Sequence, residues 1–274
     1  MDKKTPKHLV IFGAGYVAHH VAEAALAAGW SVSISSRTPS NSSKENGSLN
    51  KISYFKFGAD LPPHPGAILS TVPPRDGQDP VLAAYHSQFP QEAEWIGYLS
   101  STGVYGDADG KPVTEQSPLK GASPRAQARI SAEKAWQSLE NPVHIFRLSG
   151  IYGPGRNMLE RIKEDRIHNL EQSDRPVNRI HVADIAQAIM RSINAPQNET
   201  TVYNLADDLP APTKDVITYA AKLLGKPTPQ PAEKGTSHLM DGSRVVVNDK
   251  AKKELGLELA YPSFRDGLND LIDT

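Results

Sequence analysis

The sequence predicts an α/β protein built on a doubly wound parallel sheet, with a smaller C-terminal lobe. Three observations predict this fold. Short β-rich apolar runs alternate with helical patterns through the first two thirds of the chain, a glycine-rich turn follows the first run, and the alternation weakens after about residue 150. Strands separated by helix-length crossovers form parallel sheets that are covered on both faces by helices.

Seven runs rich in β-branched and aromatic residues are predicted as strands. In chain order they are 8–12 (HLVIF), 31–35, 52–57, 67–72, 95–100, 143–148 and 201–205. Helical patterns occupy 17–29, 123–139, 213–225 and 249–256. The first helix ends at a glycine and the second begins with Ser-Pro, which are common helix boundaries.

The domain organisation follows from the same pattern. Residues 1–150 are predicted as the main domain and 151–274 as the smaller lobe, with 179–205 returning to the main sheet. The polar, glycine-containing stretch 38–50 is predicted as a loop at the edge of the sheet, and the proline-rich stretch 226–236 as a connector.

The composition restricts the possible partners. The 274 residues carry a formal net charge of -1 and include no cysteine. A neutral balance argues against a nucleic-acid or anionic-membrane surface, and the absence of thiols excludes disulfides and thiolate metal sites. The N-terminal apolar run is interrupted by glycines and histidines, so it is interpreted as a strand, turn and helix and not as a signal peptide. We therefore expect a cytoplasmic protein whose partner is a small molecule, not nucleic acid or a membrane.

The stretch Gly13-Ala14-Gly15-Tyr16-Val17-Ala18 lies between the first predicted strand and the first predicted helix. It matches the dinucleotide-binding pattern G-x-G-x-x-G/A of Rossmann domains, in which the first glycine makes the turn and the second lets the backbone approach a pyrophosphate. Gly13, Gly15, Tyr16 and Val17 are thus predicted to bind NAD(P). The alternative is a simple tight turn between strand and helix.

The end of the second predicted strand indicates which dinucleotide is preferred. An NAD-binding chain usually carries an acid there for the ribose 2′-hydroxyl, whereas this chain has Ser36 and Arg37. A cation and a hydroxyl suit a 2′-phosphate, so NADP is predicted over NAD. The alternative is that Arg37 is a solvated loop residue.

Three further motifs identify a family. They are LSSTGVYG (99–106), RLSGIYGPGR (147–156) and RIHVADIAQAI (179–189), and the tail stretches 203–208, 220–225 and 243–268 add to them. With these motifs the chain resembles the extended and atypical short-chain dehydrogenases/reductases, the NAD(P)-dependent epimerase/dehydratase superfamily. The resemblance implies epimerase, dehydratase or reductase chemistry on a sugar nucleotide or a related small molecule.

The resemblance also implies roles for individual residues. Ser101 and Thr102 match the place of the active-site hydroxyl. The residues implied at the cofactor are Thr71, Val72, Pro73, Ser100, Ser149, Gly150, Ile151 and Tyr152. Arg179, His181 and Asp184 match a segment at the edge of the substrate pocket, and a role in tying the two lobes together is equally open for the last two.

The chain departs from the family pattern at the acid/base pair. The Tyr-x-x-x-Lys of the family should fall at Arg125 and Arg129. Arg129 has donors for ribose hydroxyls, but a guanidinium stays protonated, so Arg125 is neither a usable base nor a usable acid near neutral pH. The substitutes considered for the proton transfer are Tyr105, Tyr152, Asp107 and Glu115.

Two alternatives remain open for the arginines. They bind an anionic group of the substrate, as planar guanidinium groups do, or they only solvate the helix, with Arg129 paired to Glu133 one turn on. Two functions remain open accordingly: an enzyme with a rearranged acid/base, or an inactive NADP-binding or NADP-sensing protein. We expect a monomer or a weak homodimer, because residues 80–90 offer only about two helical turns for the family's dimer interface.

Overall fold

The computed structural model describes residues 7–38, 52–75, 77–90, 93–167, 174–195, 198–229 and 242–272. Within these ranges the strands are β1 (His8–Phe12), β2 (Ser31–Ser36), β3 (Ile52–Lys56), β4 (Ala67–Ser70), β5 (Trp95–Ser101), β6 (Pro112–Val113), β7 (Val143–Leu148), β8 (Gly150–Tyr152), β9 (Pro176–Val177), β10 (Arg179–His181), β11 (Thr201–Leu205), β12 (Ala211–Pro212) and β13 (Val245–Val246). The helices are α1 (Tyr16–Ala27), α2 (Pro80–Tyr85), α3 (Pro124–Gln137), α4 (Met158–Lys163), α5 (Val182–Asn194), α6 (Thr213–Leu223), α7 (Asp249–Leu255) and α8 (Phe264–Asp270).

The seven predicted strands are confirmed, and all of them belong to one sheet. Its order is β11-β7-β5-β4-β1-β2-β3, and the sheet is parallel. The chain runs outward from β1 to β3 and then returns to β4 on the other side of β1. This reversal is the switch point of a doubly wound fold, where ligands bind outside the carboxyl ends of the strands.

The chain groups into two compact units, and the sheet belongs mainly to the first, which comprises 1–100, 127–147 and 185–203. Helices cover both faces of the sheet. On one face, strand residues such as Val10 and Phe12 form a buried cluster with Trp136 of α3 and with residues of α2. On the other, the Trp95 indole donates to Ser192 Oγ of α5 at 2.9 Å. Successive strand residues point to opposite faces, so α5 lies across the sheet from α2 and α3.

The second unit comprises 101–126, 148–184 and 204–274. It contains three small strand pairs, β8 with β10, β9 with β12 and β6 with β13, and a core formed largely by α4, α6 and α8. Each unit draws on three separated stretches of chain, whereas the sequence predicts one division near residue 150 with 179–205 returning to the sheet.

The predicted helices at 17–29, 123–139, 213–225 and 249–256 are confirmed as α1, α3, α6 and α7, each slightly shorter than predicted. The predicted loop 38–50 lies outside the described residues except for its first position, as does the connector 226–236 from residue 230 onward. In the described part of the chain, no helix has both the length and the apolar composition needed to cross a membrane.

Candidate functional site

The turn between β1 and α1 contains Gly13, and any larger residue at this position would have to displace its neighbour Thr71. Gly13 has φ of +96°, and a Cβ added to it would lie 2.6 Å from Thr71 Oγ1. Its N–H donates to Ser35 Oγ at 3.0 Å. No side chain caps the start of α1, and its first turn carries no acidic residue. The helix N-terminus thus presents its dipole and amide groups to an anion, as a pyrophosphate site requires.

The end of β4 forms the other side of this turn. Thr71 Oγ1 donates to the Phe12 carbonyl at 2.9 Å, and the Thr71 N–H donates to the same oxygen at 2.9 Å. Val72 lies close as well, since its Cγ2 would be 3.1 Å from a Cβ on Gly13. Pro73 follows and is exposed. The structure thus brings the predicted residues Gly13, Thr71 and Val72 together at the β1–β4 switch point, in a backbone cradle that fits a dinucleotide pyrophosphate.

The end of β2 carries hydroxyls and a cation. Ser36 is half-buried, and its Oγ accepts from the Thr38 N–H at 3.3 Å. Arg37 is exposed. Ser35, the hydroxyl residue just before Ser36, is not among the predicted cofactor residues; it is buried, and its Oγ accepts from the Gly13 N–H. This contact could have been predicted from the sequence, because Ser35 is the next-to-last residue of β2 and its hydroxyl points toward the neighbouring turn.

Arg129 is engaged within the first unit. Its Nη1 donates to the Leu99 carbonyl at 2.6 Å and to Tyr98 Oη at 3.0 Å. Tyr98 is fully buried, and that burial raises its pKa to about 12. Arg129 is half-buried, and its guanidinium is bound at the carboxyl end of β5, next to Ser100. Arg125, at the start of α3, is exposed.

The pairing of Arg129 with Glu133 is wrong, because Glu133 has another partner. Glu133 Oε2 accepts from Arg147 Nη2 at 2.7 Å, and both side chains are buried, with 1% and 3% exposed. Ser100 Oγ donates to Glu133 Oε1 at 2.5 Å. The hydroxyl of Ser100, predicted at the cofactor, is thus committed to this buried network. This network was not predicted from the sequence. A sign of it was present, because Glu133 lies in a predicted helix and Arg147 lies in a predicted buried strand, where each needs a partner of opposite charge.

The Ser101–Tyr105 segment lies in the second unit and forms a 3-10 turn over Thr102–Tyr105. Ser101 Oγ caps this turn by accepting from the Gly103 N–H at 3.2 Å. Thr102 Oγ1 donates to the Leu148 carbonyl at 3.4 Å. Tyr105 is 2% exposed, and its hydroxyl donates to Asn204 Oδ1 at 2.6 Å. These contacts favour a packing role for Tyr105.

The other proposed proton donors are engaged too. Tyr152 Oη donates to the Ser263 carbonyl at 3.2 Å, and burial together with the charges of Asp207, Asp184 and Asp266 raises its pKa. Glu115 Oε1 accepts from the Asn204 N–H at 2.8 Å.

Asp107 is held ionised by its surroundings. Its carboxylate accepts hydrogen bonds from the backbone N–H groups of Ser243 and Asp109, and these bonds lower its pKa. Arg175 adds an ion pair at 3.1 Å. An ionised carboxylate with these partners is suited to holding the loop and not to donating a proton near neutral pH.

The segment 149–152, which the family resemblance places at the cofactor, lies in the second unit. Gly150 and Ile151 pair with Arg179 and Ile180 in the β8–β10 ladder. The Ser149 N–H donates to the Leu205 carbonyl at 3.0 Å, and its buried hydroxyl has no hydrogen-bond partner among the described residues. A buried hydroxyl of this kind is available to a bound ligand.

The segment after this loop has structural contacts. Arg179 Nη1 donates to the carbonyls of Val177 and Ala211 at 3.1 and 2.9 Å. His181 Nδ1 accepts from the Ala183 N–H at 3.3 Å. Asp184 accepts from the N–H groups of Ala260 and Tyr261 at 2.7 and 3.1 Å. These bonds favour a role in holding the second unit together.

Comparison with known proteins agrees with the fold. Residues 76–206 match the model of the NAD dependent epimerase/dehydratase family. Protein YeeZ of Escherichia coli (strain K12) is 32% identical over 177 residues, which are 61% of this chain and 58% of that protein. The chain thus matches less than two thirds of the length of this curated relative.

Solved structures extend the likeness to the whole chain. A conserved protein of unknown function from Silicibacter pomeroyi DSS is 37% identical with a TM-score of 0.86, covering 96% of this chain and 97% of that one. The dTDP-glucose 4,6-dehydratase of Bacillus anthracis str. Ames, solved in complex with NAD, is 18% identical with a TM-score of 0.75, covering 97% and 95%. At that identity the second comparison supports the fold alone.

Proposed function

Because this chain belongs to the NAD dependent epimerase/dehydratase family, we propose that it binds NADP(H) at the β1–α1 turn and acts on a sugar nucleotide or a related small molecule. The observation that carries the proposal is the cradle at Gly13, where a Cβ would lie 2.6 Å from Thr71 Oγ1 and the helix start is open to an anion. Gly13, Gly15, Tyr16 and Val17 would hold the pyrophosphate. Thr71, Val72 and Pro73 would lie along the ribose.

A bound nicotinamide would supply a hydride acceptor or donor to such a site. The chain's own residues then have to orient the substrate and move a proton. Ser101 and Thr102 are proposed to orient the reacting oxygen, and Ser149, Gly150, Ile151 and Tyr152 to border the nicotinamide. Ser149, with its buried and uncommitted hydroxyl, has the strongest support among these four.

The second candidate function is an NADP-binding or NADP-sensing protein without redox chemistry. One observation favours it: Arg129, which lies where the family resemblance places the lysine of the acid/base pair, is already bound to Leu99 and Tyr98. Absorbance of the reduced nicotinamide, followed across carbonyl substrates, detects a net reduction, and chromatography of nucleotide sugars detects an epimerisation or dehydration in which the cofactor is regenerated. Together the two assays separate the candidates. Turnover with any of these substrates supports the enzyme, and tight NADPH binding without turnover supports the sensor.

Arg37 is proposed to give the preference for NADP. A guanidinium at the end of β2 pairs with the 2′-phosphate, and a charge-assisted contact of this kind at an exposed position is worth about tenfold in affinity. Calorimetric titration should therefore show weaker NADP binding in Arg37→Ala and an unchanged affinity for NAD. Arg191→Ala, which removes an exposed arginine of α5, is the matched control. Equal affinity of the wild type for both dinucleotides would refute the assignment.

A further inference from the structure

Asp207 is a buried carboxyl that the proposed function does not use. It follows β11 in the second unit and is 1% exposed. Its Oδ1 accepts from the Arg179 N–H at 2.9 Å and from Asn178 Nδ2 at 3.2 Å. Its Oδ2 has no hydrogen-bond partner among the residues that the structure describes. An ionised carboxylate has about four acceptor sites, so the charged form of Asp207 is poorly compensated here.

The nearest cation does not correct this deficit. Arg179 favours the ionised form through its charge, but its guanidinium donates to the carbonyls of Val177 and Ala211. Asp208 opposes ionisation, and Tyr152 of β8 also faces the carboxyl. Burial dominates these effects and raises the pKa of Asp207 to about 7.

The hydrogen bonds of Asp207 connect its charge state to the position of strand β10. Its backbone N–H donates to the Arg179 carbonyl at 2.6 Å while its side chain accepts from the Arg179 N–H, so it holds both polar groups of the first residue of β10. Strand β10 pairs in turn with β8. A change at Asp207 therefore acts directly on the β8–β10 ladder, which ends at Tyr152 and His181.

We infer that Asp207 is a proton-controlled latch: with its proton it holds β10 in place, and without it the uncompensated buried charge loosens the β8–β10 ladder. The direction of the pH dependence follows from the linkage between proton binding and folding. A carboxyl whose pKa is raised on folding stabilises the closed form at acidic pH, and this stabilisation is lost as the pH rises from the unfolded value toward the folded one. The ladder should therefore open more readily as the pH rises from about 4 toward about 7, and this effect should level off above the folded pKa.

Hydrogen exchange of the full chain, read by mass spectrometry on peptides that contain 150–152 and 179–181, tests this latch. Protection factors, corrected for the intrinsic pH dependence of exchange, should fall about tenfold between about pH 6 and about pH 8 in the wild type. Asp207→Asn keeps an acceptor at Oδ1 and cannot ionise, so its protection should stay constant. Asp249→Asn, at an exposed position at the start of α7, should fall as the wild type does.

Two results would overturn the latch: constant protection in the wild type, or a parallel fall in Asp207→Asn. Should Asp207→Asn fail to fold, carbon NMR of the wild-type aspartate carboxyls decides instead. A carboxyl resonance assigned to Asp207 that titrates near neutral pH supports the latch. Titration of Asp207 near the ordinary aspartate pKa of about 4 refutes it.

Discussion

At Gly13, one backbone angle and one close contact decide what the residue can be. Its φ of +96° lies where side chains are strained, and the Cβ of any other residue would also press on Thr71. Gly29, which ends α1, has a similar φ of +80° but nothing within 4 Å of an added Cβ. Comparing Gly13 with Gly29 therefore separates the cost of backbone strain, which both share, from the cost of the steric clash with Thr71, which only Gly13 has.

Gly13→Ala should therefore lower the free energy of unfolding by about 2 to 4 kcal/mol, against about 1 kcal/mol for Gly29→Ala, since only the first adds a steric clash to the strain. Urea unfolding of both variants measures the difference. Nucleotide titration should show lost dinucleotide binding in Gly13→Ala alone. Equal stability and equal binding in the two variants would contradict the cradle.

Helix α3 is fixed in place by charge as well as by apolar packing. The helix begins at Pro124. The preceding residue, Ser123, caps it, because its Oγ accepts from the Ala126 N–H at 3.2 Å. Further along, Glu133 is bound to Arg147 of β7 and to Ser100 of β5. The helix that carries Arg125 and Arg129 is thus tied to two adjacent strands of the sheet.

Glu133→Gln should destabilise the fold by about 3 to 5 kcal/mol, because it leaves the Arg147 guanidinium buried without a counter-charge. The control is Glu254→Gln in the Lys250–Glu254 pair at 4.0 Å, in which the glutamate is exposed and the lysine partly so; about 0.5 kcal/mol or less is expected. Denaturant unfolding of the two variants gives both numbers. A loss at Glu133 as small as that at Glu254 would show that the buried pair contributes little.

For the whole molecule, the surface at α2 and α3 bears on the oligomeric state. Helix α2 spans only Pro80–Tyr85, and the chain continues from it into a 3-10 turn over His86–Gln88. A cavity of about 410 Å³, lined by residues such as Leu82, Ala135 and Leu139, leaves this surface concave. Because α2 is only six residues long, it offers few side chains to a second copy, so little apolar area would be buried there.

We therefore expect a monomer or a weak dimer in solution. Light scattering over a range of protein concentrations should give the mass of one chain at low concentration, with at most a gradual rise. A tight dimer that is disrupted by a charged substitution at Leu82 would contradict this expectation. The control is the same substitution at Leu209, which is 39% exposed and lies away from α2 and α3 in the sequence.

The local sequence pattern was sufficient to predict much of the secondary structure of this protein. The seven sheet strands, the main helices and the glycine turn at Gly13 follow from hydrophobic periodicity and from the steric demands of short segments. These features depend on residues close in sequence, so they can be predicted without knowing the fold. The family motifs were readable for the same reason.

Only the tertiary structure decided which polar side chains are committed to one another. Ser35 meets Gly13, Arg129 meets Leu99, and Glu133 meets Arg147 across 14 residues. Asp207 is the clearest case, because burial raises its pKa against the opposing hydrogen bonds from Asn178 and Arg179, which lie 29 and 28 residues away. Hydrogen bonding and desolvation depend on atoms brought together by the fold, and the order of residues along the chain does not contain that distance information.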